Sequence, residues 1–337
     1  MSDTSNKVNP YEVISDWYLP KDNPTNGYVF PGPLDIKAHQ ALLTMAQELF
    51  EESQKREDPT REDFVIKHRK MKFRGHIISS SVEGEIVTLR RIPSKVPQIA
   101  NLGLEKAVES VLLHESLSKG GLVIITGETG QGKSTTCAST IAKRLEKFNS
   151  FCLTIEDPPE LPLHGKHGNG RCIQTEVPSG EFANALKGAM RCYPTSSGNM
   201  LYVGETRDPE TATELIRIVT NGHLVFTTIH GSDIVSSLKR FITLATGKFS
   251  EADVKSILAS SLRVVLHQKL FDLPAIGNKP AGKKLETEFL ISHDASTPVA
   301  QRIRNSSNID GLASDIEQQR NTLKTKGLEE LMRMWKD

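Results

Sequence analysis

Apolar and polar positions repeat with two different periods in the first hundred residues. Residues 35–57 place apolar side chains at helical spacing. The runs 63–68, 71–79 and 84–93 instead alternate apolar and polar residues, which is typical of a half-buried antiparallel sheet. Prolines bracket the next segment, 93–97, and predict a linker. A small α+β domain is therefore expected before a second domain.

The rest of the chain alternates short apolar runs with helical segments. Runs at 122–126, 151–155, 200–203 and 224–229 predict buried strands. Strands that are separated by helices form a parallel sheet, so an open α/β domain is expected. The segments with helical patterns are 102–118, 137–144, 180–192, 209–217, 251–270 and 301–336.

The first 33 residues carry five prolines with aromatic residues between them. This composition predicts an extended arm, which is either a peripheral strand packed on its own domain or an arm that binds a partner. The predicted organisation is an N-terminal extension at 1–33, a small domain at 34–97 and an α/β domain at 98–337.

The apolar run at 122–126 ends in the glycine-rich segment GETGQGKST, which opens into a helix. Glycines allow a tight turn that brings backbone N–H groups close to an anion, and the helix N-terminus adds further donors. Lys133 reaches the outer phosphates of a nucleotide, and Ser134 or its neighbour offers a hydroxyl to Mg²⁺. The candidate phosphate-binding residues are Gly127, Thr129, Gly130, Gly132, Lys133, Ser134 and Thr135.

Carboxylates follow the ends of two later apolar runs. Glu156, Asp157 and Glu160 follow the run at 151–155, and Glu205 follows the run at 200–203. The carboxyl ends of parallel strands form the ligand-binding edge of a sheet, where ATP hydrolysis needs a held metal ion and an oriented water. Each acid has an alternative interpretation as a helix N-cap or a loop charge. The predicted Mg²⁺ ligands are Ser134, Glu205 and Asp157.

Histidines and arginines add further candidates. His223 and His230 flank the run at 224–229, although a lone histidine is more often a structural residue. Arginines are candidates for contacts to the γ-phosphate, although most surface arginines are simply solvated. The arginines considered are Arg74, Arg90, Arg91, Arg191, Arg207 and Arg240.

Four ordered segments resemble those of one family. Residues 154–160 resemble its aspartate box, 203–211 its Walker B region, 221–230 its histidine box, and 90–96 its arginine-bearing stretch before the linker. The family is the type II/type IV secretion superfamily of ATPases, with the greatest resemblance to type IV pilus retraction (PilT-like) ATPases and to relatives in type IVB secretion and conjugation. The resemblance covers residues from about 70 to about 310.

The resemblance implies a PAS-like N-terminal domain and a RecA-like P-loop NTPase domain, assembled as a homo-hexamer. It implies ATP and Mg²⁺ as cofactors and inner-membrane platform proteins of a pilus, secretion or conjugation machine as partners. The site roles that it implies are phosphate and Mg²⁺ binding by Lys133 and Ser134, catalysis by Glu205 and Glu160, γ-phosphate sensing or coupling by His223 and His230, and contact to ATP by Arg74 and Arg90.

Composition restricts the remaining functional classes. The 337 residues are 37% hydrophobic and carry a net charge of +1, which does not favour nucleic-acid binding. The histidine box also counts against a nucleic-acid motor, so no direct nucleic-acid partner is expected. No apolar run reaches the roughly 18 residues of a membrane span. Four scattered cysteines fit a reducing compartment rather than a zinc site. A cytoplasmic protein, peripheral to the inner membrane, is expected.

Two departures from the family pattern matter. Asn199, at the end of a longer 195–199 loop, replaces an acid that is usual before the Walker B region. This favours an alternative function, a nucleotide-dependent assembly scaffold with little turnover. The four-cysteine zinc insert of the type II secretion and pilus-extension ATPases is missing from the sequence, which favours the retraction or type IVB branch.

Overall fold

The computed structural model describes residues 14–56, 58–59, 62–178, 180–194, 199–273, 282–305, 307 and 309–333. The chain divides into two compact units, with the boundary between Lys95 and Val96. The sequence places this boundary two residues later, between 97 and 98.

In its described residues, the first unit has a six-stranded antiparallel sheet and one α-helix. The strand order is β3-β2-β1-β6-β5-β4. Its elements are β1 (Asp16–Pro20), β2 (Tyr28–Phe30), β3 (Leu34–Asp35), α1 (Gln40–Gln54), β4 (Asp63–His68), β5 (Met71–Ser80) and β6 (Gly84–Ile92).

Alternation along the strands of this sheet creates one apolar face. Trp17, Val29, Phe73 and Leu89 are fully buried on that face, together with Leu49 of α1. The helical spacing of apolar residues in α1 presents a matching stripe, so burial of both stripes holds the unit together.

The N-terminal arm belongs to this sheet. Strand β1 pairs with β6 from Asp16 opposite Arg90 to Pro20 opposite Ile86. The described part of the arm, from residue 14, thus packs on its own domain, but β1 is an interior strand between β2 and β6 and not the peripheral strand of the first alternative. The sheet continues across the predicted limit at residue 33, because β2 and β3 pair with each other on either side of it.

The second unit is an eight-stranded sheet in the order β14-β13-β7-β12-β11-β8-β10-β9. The six strands from β13 to β10 are parallel, and the two edge strands β14 and β9 are antiparallel to their neighbours. The strands are β7 (Gly121–Thr126), β8 (Phe151–Glu156), β9 (Gly165–His167), β10 (Gly170–Glu176), β11 (Asn199–Val203), β12 (Leu224–Ile229), β13 (Leu262–Leu273) and β14 (Gly282–Ile291).

Helices cover both faces of this sheet, which is why β7 and β12 are buried along their whole length. The helices are α2 (Lys106–Leu112), α3 (Lys133–Phe148), α4 (Phe182–Ala189), α5 (Pro209–Val219), α6 (Ile234–Ala245), α7 (Glu251–Ser261), α8 (Pro298–Asn305) and α9 (Leu312–Arg333), the last interrupted at Gly327. Leu215, Phe241 and Leu258 fill the core on one face, and Val111 and Ile141 that on the other.

Two helix predictions are wrong. The predicted helix at 251–270 ends at Ser261, and the chain continues as β13, where Val264 and Val265 lie beside β7. The predicted helix at 102–118 contains only α2, with 3₁₀ turns on either side. Strands β9, β10 and β14 were not predicted. Among the described residues, no helix is both long and apolar enough to span a bilayer.

Candidate active site

The glycine-rich loop joins β7 to α3 at the carboxyl edge of the parallel sheet. Gly132 is the N-cap of α3 with φ 77°, and it provides no side-chain hydrogen bond to the first turn. Gly127 has φ 150°, and a Cβ there would lie 2.5 Å from the carbonyl oxygen of Gln268. The backbone therefore requires glycine at position 127. The first-turn N–H groups of α3 receive no side-chain cap from Gly132, since glycine has no side chain.

Strand β13 holds the loop in place through two glutamines. The side-chain Nε2 of Gln268 donates to the carbonyl oxygen of Gln131, and the backbone N–H of Leu270 donates to Oε1 of Gln131. Gln268 is 1% exposed. Sequence reasoning missed both glutamines, because no local pattern links residues that are more than 130 positions apart.

Lys133 lies at the centre of the site and is 7% exposed. Its Nζ donates to the carbonyl oxygen of Glu128 at 2.7 Å and lies 3.5 Å from Nδ1 of His230. Burial lowers the pKa of Lys133, whereas the charges of Glu205 and Glu160 raise it. The ammonium group therefore lies near two carboxylates, whose negative charges favour its protonated form.

Glu205 and His230 complete this cluster. Oε1 of Glu205 lies 3.4 Å from Nε2 of His230. Burial is the main cause that lowers the pKa of His230, and Lys133 and Arg240 lower it further against the opposing effect of Glu205. The imidazole is therefore neutral at neutral pH and connects the lysine to the carboxylate.

Backbone bonds between β11 and β12 position Glu205. The N–H of Thr206 donates to the carbonyl oxygen of Thr228 at 2.9 Å, and the hydroxyl of Thr228 donates to the carbonyl oxygen of Gly204 at 2.6 Å. Glu205 is thus held from both sides, at the end of a strand whose pairing partner leads directly to His230.

Ser134 and Thr135 lie in the first turn of α3, and Thr129 is exposed in the loop. The phenol of Tyr202, a fully buried residue of β11, lies near the side chain of Ser134. Burial and the nearby ionisable groups hold the pKa of Tyr202 well above its usual value. Tyr202 was not a predicted site residue, although its place in the strand before Glu205 was predicted.

The carboxylates at the end of β8 and in the segment after it lie in different environments. Glu156 is 5% exposed, and burial raises its pKa to about 7. Asp157 accepts a 3.0 Å hydrogen bond from Nη2 of Arg207. Glu160 is exposed, and it lies close enough to Lys133 for its negative charge to raise the pKa of the lysine. Of the predicted Mg²⁺ ligands, Asp157 thus has a cationic partner already.

His223 and Asn199 lie at the opposite edge of the sheet. His223 precedes β12, stacks on the ring of Tyr193 at 4.6 Å, and accepts a 3.0 Å backbone hydrogen bond from Gly121 at the start of β7. Asn199 begins β11 opposite Phe151. At ~3.3 Å per residue, each strand separates these side chains from the phosphate loop by roughly 15 Å or more. Residues 195–198 of the predicted 195–199 loop lie outside the described residues, and Asn199 is the first residue of β11.

Arg74 and Arg90 belong to the first unit, where they are cross-strand neighbours on β5 and β6. Nε of Arg90 donates to Asp16 at 2.6 Å, and Nη2 of Arg74 lies 3.9 Å from Asp63. The two arginines line a cavity of about 390 Å³ on the sheet face opposite α1. Neither Arg191 nor Arg240 is buried.

The site fits a nucleotide and a hard cation. First-turn N–H groups and Lys133 suit phosphate oxygens, and the Ser134 hydroxyl and Glu205 carboxylate are oxygen ligands of the kind that Mg²⁺ prefers. Asp157 fits this set less well because Arg207 already binds its carboxylate.

Comparison with known proteins agrees with this geometry. The family model described as type II/IV secretion system protein matches residues 41–331. The type IV pilus retractation ATPase PilT of Pseudomonas aeruginosa is 35% identical over 191 residues, covering 56% of this chain and 52% of that protein. The twitching motility protein of Neisseria gonorrhoeae is 34% identical over 214 residues, covering 63% and 53%. The aligned segment thus spans about half the length of these relatives.

Among solved structures, the chain is similar to the pilus retraction motor PilT with bound ADP. The TM-score is 0.72 at 28% sequence identity, and the match covers 95% of this chain and 94% of that one. The ATPase DotB of Legionella pneumophila shares the fold at 22% identity, with a TM-score of 0.65 over 94% and 85% of the two chains.

Proposed function

The chain belongs to the type II/IV secretion system protein family, and from this premise we propose that it hydrolyses ATP to ADP and phosphate to drive a secretion, conjugation or type IV pilus machine. The observation that carries the proposal is the grouping of Lys133, Glu205 and His230 beside a glycine-rich loop. Similarity to a type IV pilus ATPase and to a pilus retraction motor with bound ADP supports it.

The chain's own groups account for binding. First-turn N–H groups of α3 and the ammonium of Lys133 bind the β- and γ-phosphates. Ser134 and Glu205 hold Mg²⁺, which when bound neutralises phosphate charge. The buried phenol of Tyr202 lies near the hydroxyl of Ser134 and helps to orient it. Neutral His230 lies within reach of both Lys133 and Glu205, so it senses a change in either charge.

Glu160 and Glu205 orient the attacking water, whose oxygen forms the new bond to the γ-phosphorus as the bond to ADP breaks. Such positioning and charge stabilisation provide most of the rate enhancement in phosphoryl transfer. Arg74 and Arg90 contact the γ-phosphate in this proposal. His223 and Asp157 contribute less directly, since His223 stacks on Tyr193 and Asp157 pairs with Arg207.

The proposed working form is a cytoplasmic homo-hexamer, peripheral to the inner membrane, that acts on platform proteins of its machine rather than on nucleic acid. Each subunit combines a PAS-like first unit with a RecA-like second unit. The family membership and the full-length match to a pilus retraction motor support this assembly.

The alternative function, an assembly scaffold with little turnover, depended on Asn199. Since Asn199 begins β11 and Glu205 follows the end of that strand, its amide lies too far away to weaken a Mg²⁺ site at Glu205. No other observation favours the scaffold, and turnover itself distinguishes the two functions.

The test is steady-state phosphate release with nucleotide affinity measured in parallel. Lys133→Ala should abolish turnover because the phosphates lose their fixed cation, and Glu205→Gln should bind ATP but hydrolyse it at least about 10²-fold more slowly. Lys143→Ala, on the exposed side of the same helix and paired with Glu146, should behave as wild type. Wild-type protein without turnover, or full activity in Lys133→Ala, would overturn the proposal.

A further inference from the structure

Gln174 of β10 makes side-chain hydrogen bonds to three points of the acidic segment. Its Nε2 donates to Oε1 of Glu156 at 2.8 Å and to the carbonyl oxygen of Leu161 at 2.7 Å. Its Oε1 accepts from the N–H of His164 at 3.3 Å. One amide group therefore uses both of its donor hydrogens and its acceptor on a single stretch of chain.

These three points enclose the segment that carries Glu160. The segment leaves β8 after Glu156 and enters β9 at Gly165, and it contains no regular secondary structure between them. Glu160 lies one residue before Leu161, whose carbonyl oxygen Gln174 binds. The position of the Glu160 carboxylate relative to Lys133 thus depends on how this segment is held.

The first of the three points is itself rigid. Glu156 is 5% exposed, and its side chain packs against the backbone of Gly204, the residue before Glu205. Gln174 therefore ties the segment that carries Glu160 to a buried group beside the segment that carries Glu205. This connection fixes the two carboxylates relative to each other.

We propose that Gln174 is a positioning residue that holds the 157–164 segment so that Glu160 lies in its working place beside Lys133. The inference rests on the proposed function, which assigns Glu160 to orientation of the attacking water. Gln174 touches neither nucleotide nor water in this scheme and acts only through Glu160.

The side-chain chemistry at position 174 is specific. Methionine has nearly the same length and shape but neither donor nor acceptor. Asparagine keeps the amide group but is shorter by one methylene, so it reaches one partner at most. A role in filling space would tolerate methionine, whereas a role in positioning requires the full-length amide.

The first measurement is steady-state kinetics of Gln174→Met and Gln174→Asn. Displacement of a catalytic group by about 1 Å costs about 10²-fold in rate, so kcat should fall by about that factor in Gln174→Met and by less in Gln174→Asn. KM and ADP affinity should not change, because Lys133 and its loop are untouched. Wild-type kcat in Gln174→Met would overturn the proposal.

The control is Thr175→Val on the same strand. The hydroxyl of Thr175 donates to the carbonyl oxygen of Thr154 in β8, so this variant loses a hydrogen bond of β10 without releasing the acidic segment. Its kcat should stay within about twofold of wild type. A loss equal to that of Gln174→Met would show general damage to the strand and would also overturn the proposal.

A double-variant cycle tests whether Gln174 acts through Glu160. Glu160→Gln alone should slow turnover, and addition of Gln174→Met should slow it no further, because the group that Gln174 positions is already lost. If the reduction in kcat of the double variant equals the product of the two single reductions, the proposal that Gln174 acts through Glu160 is wrong.

Hydrogen exchange provides a readout that does not need turnover. Amides of 157–164 should exchange at least tenfold faster in Gln174→Met than in wild type or Thr175→Val, while those of the phosphate loop stay unchanged. If wild-type protein shows no ATPase activity, the proposed function fails and exchange alone decides the role of Gln174. Unchanged exchange at 157–164 would overturn that role.

Discussion

Glu156 shows how burial changes the chemistry of a single residue. Burial raises the pKa of its carboxyl group from 4.5 to about 7, and the hydrogen bonds from Gln174 and Thr154 only partly oppose this rise. The unfolded chain has the ordinary pKa, so between pH 4.5 and 7 the folded protein keeps a proton that the unfolded chain has lost. Stability must therefore fall as pH rises through this range.

Glu156→Gln should remove this pH dependence. Each pKa unit corresponds to about 1.36 kcal/mol. The difference in the free energy of unfolding between the variant and wild type should therefore shift in favour of the variant by up to roughly 3 kcal/mol from pH 5 to pH 8. The amide oxygen of the new side chain still accepts from Gln174. The measurement is thermal unfolding of both proteins at pH 5 and pH 8 without nucleotide or Mg²⁺. An equal difference in Tm at the two pH values would contradict the assignment.

Sequence reasoning at the residue scale identified the groups at the ends of strands. Lys133, Glu205 and Glu160 follow apolar runs, and parallel strands bring such ends to one edge, so their proximity in the structure has a local signal. His223 has the same kind of signal but lies at the amino end of its strand. Gln174, which orients the segment carrying Glu160, lies on β10, and this strand was not predicted from the sequence.

At the scale of elements, the phosphate loop depends on β13. Gln131 accepts hydrogen bonds from Gln268 and from the backbone of Leu270, and the glycine-rich motif itself does not predict these contacts. The loop is therefore held in shape by a strand that lies beside it, before any phosphate binds. Such preorganisation improves affinity because the ligand does not have to order the loop.

Gln131→Met should weaken ATP and ADP binding by about tenfold, because a lost hydrogen bond costs about 1 kcal/mol or more and the loop loses its side-chain anchor to β13. Titration calorimetry measures both affinities. Gln319→Met is the matched control: the Gln319 amide also bonds a strand backbone, at the N–H and carbonyl of Ile291 in β14. Equal affinities in wild type and Gln131→Met would exclude this role for β13.

The wrong helix prediction at 251–270 explains why this support was missed. Leu258, Leu262 and Leu266 recur at helical spacing, so the pattern of apolar residues continues from α7 into β13. Pairing with β14 and with β7 decides the conformation instead, and the pairing with β7 joins residues far apart in the chain. Strand β14 has mostly charged residues in its first half, which hides its period-two pattern.

At the scale of the whole molecule, two arginines of the first unit are available for a shared function. Arg74 and Arg90 face each other across β5 and β6, on the sheet face that does not contact α1. The ion pair of Arg90 with Asp16 leaves the arginine side chain 71% exposed, and exposed pairs contribute little to stability. The ion pair with Asp16 therefore opposes a phosphate contact only weakly.

Arg90→Ala tests whether the proposed hexamer uses this arginine in hydrolysis. An arginine that stabilises the transferring phosphoryl group contributes about 10³–10⁵ in rate, so turnover should fall by at least about 10³-fold while ADP affinity stays nearly unchanged. Arg91→Ala is the matched control, because Arg91 follows on the same strand and alternation directs its side chain to the other face. Native mass spectrometry with nucleotide should give hexamers for all three proteins. Hexamers of Arg90→Ala with full turnover would show that Arg90 has no role in catalysis. Wild-type protein that stays monomeric at high concentration would contradict a ring motor, because such a motor needs neighbouring subunits that respond to each change of nucleotide state.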